Sequence, residues 1–174
     1  MKQESLKAEY DGYREEYLPK KNDGQIKILF IAESPPAYDN EKELPYFYNK
    51  DAKGTGSRLW RYFNKALYDG EFSDKGEFLE RFKNDGYYLI DIFQTEKELR
   101  DTETQVKKED YTNAVRVSID LFDRIRVLKP EKVVIIGKET AKLIAGCLPY
   151  GSNANVERFK KFIGEAKRAK VKEP

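Results

Sequence analysis

The chain reads as an α/β sandwich built around a short, mostly parallel sheet, and two observations predict it. Nearly continuous apolar runs recur at 26–32 (IKILFIA), 86–93 (GYYLIDIF) and after Pro130 (KVVIIG). Rich in branched or aromatic residues, they have the pattern of strands buried on both faces. Between them lie segments with apolar residues three or four apart, the spacing of helices packed on one side. Strands that alternate with helices are joined as crossover units around a parallel sheet.

Each element has its own local reason. Leu6, Tyr10, Tyr13 and Tyr17 predict an amphipathic helix over 5–17, limited by Pro19, with its tyrosines packing at the edge of the core. KKNDG at 20–24 is a turn, and the strand 26–32 follows. From Glu33 to about Gly56 runs a loop too long for a simple connection, hence a candidate functional loop. Ser57 is placed to cap a helix through Leu59, Trp60, Phe63 and Leu67, and a second short helix spans 74–83. After the strand 86–93, the polar stretch 94–108 reads as a surface loop. A long helix over 109–128 turns Tyr111, Val115, Ile119, Phe122 and Ile125 to one side and ends before Pro130. The next strand passes through a glycine turn at Gly137 into a helix over about 139–145. A last helix, about 153–168, places Phe159, Phe162 and Ile163 inward, and 165–174 reads as a basic, flexible tail. The whole, 1–174, is expected to be one domain with an N-terminal helix within 1–18, a length that suits a single core.

Composition excludes several chemistries. The chain has no histidine, which removes Ser-His-Asp and Cys-His nucleophilic systems, histidine-ligated zinc and an imidazole base. Its single cysteine, Cys147, rules out an intramolecular disulfide and a cysteine-ligated iron-sulfur cluster. With 33 Lys and Arg against 31 Asp and Glu, the net charge of +2 leaves any nucleic-acid footprint to a local patch. No stretch approaches the ~18 apolar residues of a membrane span, and the N-terminus lacks a signal-peptide core. A cytoplasmic protein is expected.

In sheets of this kind ligands sit at the carboxyl ends of strands, here Ala32-Glu33-Ser34, Asp91-Ile92-Phe93 and Gly137-Lys138-Glu139. The first strand is followed by neither a GxGxxG nor a GxxxxGK[ST] turn, and Pro35 and Pro36 have no amide hydrogens with which to cradle a phosphate. They stiffen the loop beside the Glu33 carboxylate, unless Glu33 is a plain turn residue and the prolines merely stop the strand. Lys138, beside a helix N-terminus, is placed to pair with a phosphate, its alternative being a solvated surface lysine.

The segment AESPPAYDNEKELPYF (32–47) resembles the first motif of the uracil-DNA glycosylase superfamily, in the Gly-Glu-x-Pro-Gly form of its iron-sulfur branch. Glu33 falls on the acidic position, Pro35 on the proline and Pro45-Tyr46 on the Pro-aromatic pair. GYYLIDIF resembles the second strand of that fold, and LKPEKVVIIGKETAKLI (128–144) its third strand, turn and helix. The resemblance covers about 26–162 and implies a three-layer α/β/α sandwich with a four-stranded sheet. It implies excision of a deaminated or damaged base from DNA, with DNA, single- or double-stranded, as partner to a monomer that needs no metal or organic cofactor.

It also implies roles. Glu33 would stabilise the cationic sugar and orient water. Ser34, Pro35 and Pro36 would meet the DNA backbone. Tyr46 would stack on the extruded base, with Ala32, Asp91 and Asn153 around it. LPYGSNANVERF (148–159) is the best match to the distal motif, so Pro149, Gly151, Ser152 and Asn153 would form the loop entering the minor groove. The departures are the missing histidine, the missing cluster cysteines, Ala32 and Pro36 in place of glycines, and Asp91 where many members carry asparagine. An ionised aspartate only accepts, so Asp91 disfavours uracil O4 and favours an amino or protonated edge; otherwise it faces water or caps a loop. Two other readings stay open: a glycosylase-like module without catalysis that binds nucleic acid, and a hydrolase of free nucleosides or nucleotides.

Overall fold

The computed structural model describes residues 2–19, 25–36, 46–52, 58–106, 112–138 and 140–141, with the side chains of 2–6, 106 and 112–115 left aside. Along the chain run α1 (Lys2–Glu16), β1 (Ile28–Ala32), α2 (Arg58–Tyr68), α3 (Lys75–Asn84), β2 (Tyr87–Asp91), α4 (Glu96–Val106), α5 (Thr112–Leu128) and β3 (Lys132–Ile135). The expected turn 20–24, the Ser57 cap and everything from 142 onward, including Cys147 and the last helix and tail, lie outside the described residues.

Among the described residues the sheet has three strands in the order β2-β1-β3, all parallel; the fourth strand expected is not among those residues. Register pairs Phe30 with Leu89 on one side and with Val134 on the other. β1 is therefore central, and Leu29 and Ile31 are wholly buried. The chain leaves β1 toward one edge and returns from β2 to the other. Right-handed crossovers then put α2 and α3 on one face and α4 and α5 on the opposite face. The packing agrees. Phe30 meets Phe63 of α2 and Phe82 of α3 at ring-centroid distances of 4.7 and 5.7 Å. On the other face, Tyr88 and Ile90 share a cavity of about 320 Å³ with Arg14 of α1 and Arg124 and Leu128 of α5. The superfamily's α/β/α layering is present.

Gly86 shows why the turn into β2 takes glycine. Its φ is +78°, and a Cβ there would lie 3.2 Å from the Gln25 carbonyl and 3.0 Å from the Lys27 side chain. The close approach lets the Lys27 amide donate to the Gly86 carbonyl at 2.8 Å, which starts the pairing of β1 with β2.

Two expectations are corrected. The stretch 94–108 is mostly helix, as α4. Its polarity hid it, because what holds it is local. The Thr95 hydroxyl accepts the Glu98 amide at 3.2 Å while the Glu98 carboxylate accepts the Gln94 amide at 2.7 Å, a variant of the capping box. Lys97 pairs with Asp101, and Arg100 with Glu96, one turn apart. In α5 the buried positions are Val117, Ser118, Leu121 and Ile125, whereas Ile119 is 48% exposed and Phe122 only partly covered. Both α4 and the sheet press on this helix, so its inward stripe follows those contacts and not the four-residue run Tyr111-Val115-Ile119. Tyr111 and the Val115 side chain lie outside the described residues.

Candidate active site

The carboxyl ends of the three strands are held side by side. Beyond the regular pairing, the Ile92 amide donates to the Ala32 carbonyl at 2.9 Å and the Phe93 amide to the Glu33 carbonyl at 3.0 Å. From β3, the Ile136 amide donates to the Ile31 carbonyl at 2.8 Å. Glu33 thus leaves the central strand with its backbone fixed and its side chain half-buried, at the crevice where such sheets bind ligands. Ala32, Ser34 and Pro36 are half-buried as well, whereas Pro35 is fully buried. Pro35 therefore anchors the loop from inside, and Ser34 and Pro36 are the members of that trio that reach the surface.

Tyr46 and Asp91 converge. The Tyr46 hydroxyl donates to Asp91 Oδ2 at 3.4 Å, and Arg14 Nη2 donates to the same oxygen at 3.0 Å. Asp91 is 2% exposed and Tyr46 1%, so the reading of Asp91 as a residue facing water is overturned. One ring of α1, Tyr10, packs on Tyr46 with centroids 4.6 Å apart, and the Arg14 guanidinium lies 5.4 Å from the Tyr46 centroid. Burial raises the Asp91 pKa, with Arg14 opposing it. For Arg14 burial works in the lowering direction, but Tyr46 and Asp91 outweigh it and hold the guanidinium above its ordinary value. Burial likewise lifts the Tyr46 phenol well above its usual range.

Sequence reasoning missed Arg14. The signal was available, because Arg14 stands four residues after Tyr10 and three before Tyr17, on the face whose other members are buried. A charge on an apolar stripe needs a partner, and the partner stands 77 positions along the chain.

Two further polar groups shape the approach. The Tyr48 hydroxyl accepts the Leu89 amide at 2.6 Å and donates to the Leu89 carbonyl at 3.1 Å, which satisfies the free edge of β2. Lys75, at the start of α3, is 5% exposed and donates to the carbonyls of Tyr46, at 2.9 Å, and Asn49. It fixes the turn that carries Tyr46, and burial pushes its pKa down to about 8.

At the third strand end Gly137, with φ +91°, turns the chain so that its carbonyl accepts the Ala141 amide at 3.1 Å. The adjacent Lys138 is exposed. Pro45, Pro149, Gly151, Ser152 and Asn153 lie outside the described residues. So the strand ends bring Ala32, Glu33 and Asp91 together and Tyr46 onto Asp91. The 320 Å³ cavity touches Arg14 and Gln94 but neither Glu33 nor Asp91. Among the described residues no cluster of His, Cys, Asp or Glu could hold a metal ion, and no helix is long and apolar enough to cross a membrane.

The uracil DNA glycosylase superfamily matches residues 19–171. The chain belongs to that superfamily. Nothing matches among curated proteins or among solved structures. The superfamily match begins just after α1, so Glu33, Tyr46 and Asp91 fall within it while Tyr10 and Arg14 do not.

Proposed function

We propose that this protein is a DNA glycosylase that hydrolyses the N-glycosidic bond of a deaminated or damaged base, uracil or a relative, turned out of DNA. What supports the reading is membership of the superfamily together with the position of Glu33, half-buried at the end of the central strand with its carbonyl bound by Phe93. As the bond from C1′ to the base lengthens, positive charge gathers on the sugar. A carboxylate below it stabilises that charge and steers a water oxygen to C1′. The water's hydroxyl ends on the sugar, its proton is released, and the base leaves with the bonding pair. Ser34 and Pro36 would bear on the backbone flanking the extruded nucleotide, and Lys138 on a phosphate.

The test is Glu33→Gln, assayed on oligonucleotides carrying uracil, hypoxanthine or xanthine. The expected loss is roughly 10²-fold or more in base release with strand binding retained. Release at the wild-type rate would remove Glu33 from the reaction, and no release by the wild type on any substrate would remove the reaction itself.

One observation favours a second reading, a nucleic-acid-binding module without catalysis. Tyr46 and Asp91, two of the four expected base contacts, are closed under α1. On that reading the wild type binds strands and leaves every base in place.

A further inference from the structure

We propose that Arg14 is a specificity-determining residue, supplying the hydrogen-bond donor that Asp91 lacks, so that the two side chains together read the edge of a deaminated base; this rests on the glycosylase reading above. An asparagine presents a donor and an acceptor on one side chain, whereas an ionised aspartate presents acceptors alone. Taken singly, Asp91 accepts a ring N–H and repels the neighbouring base carbonyl.

Arg14 changes that. Its Nη2 donates to Asp91 Oδ2 at 3.0 Å, and Nη1 donates to Asp11 Oδ1 at 2.9 Å and to Gln94 Oε1 at 3.2 Å. The guanidinium is a planar fork in which Nε–H runs parallel to an Nη2–H. That Nε is buried and has no partner among the described residues, on a side chain 8% exposed. An unpaired buried donor is costly and marks a place where a partner is expected. Nε and the Nη2 that holds Asp91 Oδ2 share one guanidinium carbon, so on this proposal the open donor and the carboxylate show a base one donor next to one acceptor.

Deamination exchanges both of the groups such a pair would read. Cytosine carries an amino group beside a bare ring nitrogen, and uracil a carbonyl beside a ring N–H. Adenine and hypoxanthine differ in the same way. With Nε–H facing the carbonyl and the Asp91 carboxylate facing the ring N–H, the deaminated base makes two bonds. Its parent, in the same position, meets donor with donor and acceptor with acceptor. Because Asp91 is closed off under α1, the helix that carries Arg14, an entering base would take the place that the Tyr10 ring holds against Tyr46. On this proposal Asp91 accepts uracil with the help of a residue outside the superfamily match, against the expectation that it turns away O4.

The experiment follows the Arg14 Nε–H resonance by NMR in the 20.4 kDa protein. Two oligonucleotides are titrated, one bearing 2′-fluoro-deoxyuridine and the other 2′-fluoro-deoxycytidine, the fluorine keeping the glycosidic bond intact. The uracil strand should move the resonance and the cytosine strand should leave it in place. Arg14→Lys, which assigns the resonance, keeps the charge opposite Asp91 without the parallel N–H pair. It should cut the preference for the uracil strand by about tenfold, the scale of one good bidentate contact. A resonance unmoved by both strands, or moved equally by both, overturns the proposal, as does an undiminished preference in a folded Arg14→Lys. If that variant does not fold, the wild-type titration decides. None of these readings needs turnover, so failure of the glycosylase reading is scored separately, by base release.

Discussion

Replacing Lys75 by methionine should remove a rise in stability between pH 7 and pH 9. In the folded protein burial holds the Lys75 pKa at about 8, against an ordinary 10.5. Between those values the unfolded chain binds the extra proton, so stability rises with pH across that window. Below pH 8 the ammonium is charged in both states and its burial is a constant cost. Integrating the proton difference gives a gain of roughly 1 kcal/mol from pH 7 to 9 and roughly twice that from pH 7 to 10. Tyrosines work the other way. Burial raises Tyr17 and Tyr88 to about 12, and Tyr46, Tyr48 and Tyr68 are raised as well, so the folded state keeps their protons while the unfolded chain loses them near pH 10. Their cost is negligible at pH 9 and grows as pH approaches 10. Taking wild type minus Lys75→Met cancels them.

The assay is urea unfolding of both proteins at pH 7, 8, 9 and 10, read by fluorescence of Trp60 and by circular dichroism. The difference between the two should climb by roughly 1 kcal/mol from pH 7 to 9. Methionine keeps the volume but loses the bonds to the Tyr46 and Asn49 carbonyls. Each carbonyl still accepts an amide, from Asn49 at 3.2 Å and from Ala52 at 3.1 Å respectively, so the variant should fold. A difference that stays flat across the window would refute the claim that a buried, protonated Lys75 pins this turn.

Other predictions use the same physics. Tyr48→Phe leaves the Leu89 amide and carbonyl without their hydroxyl partner, so it should cost about 1–3 kcal/mol and speed hydrogen exchange at Leu89; unchanged protection there would count against the edge-capping role. Thr95→Ala removes the cap from α4 and should cost about 1 kcal/mol, with faster exchange in α4 than in α5. Equal acceleration in both helices would show that α4 does not depend on its cap.

How far the sequence discloses the protein differs by layer. β1, β2 and β3 are legible because strands buried on both faces leave continuous apolar runs, and α1, α2 and α3 because their buried rings recur at helical spacing. α4 is not legible that way. Its stability sits in a Thr-x-x-Glu cap and charge pairs, a pattern carried by hydrogen bonds with no apolar stripe. For α5 the helix is legible but its phase is not, since apolar residues occur around much of its circumference and only the packed neighbours choose Val117, Leu121 and Ile125 over Ile119. At the site, Glu33 and Asp91 can be located because strand ends are local features. The pairing of Asp91 with Arg14 is not local, and nothing near Asp91 in the chain announces a guanidinium 77 positions away.

That separation bears on how the molecule is made. α1 leaves the ribosome before the strands it packs on, a single 15-residue helix that contains Gly12 and is marginal alone in water. Its partners Tyr46, Tyr48, Tyr88 and Asp91 are translated later, the last of them after about 4–15 s at typical elongation rates of ~5–20 residues per second. During that interval two tyrosines and an arginine meant for the interior are exposed to whatever else is nascent. The docking of α1 is thus a late event in the life of an early segment, and the enclosure of Asp91 waits for it.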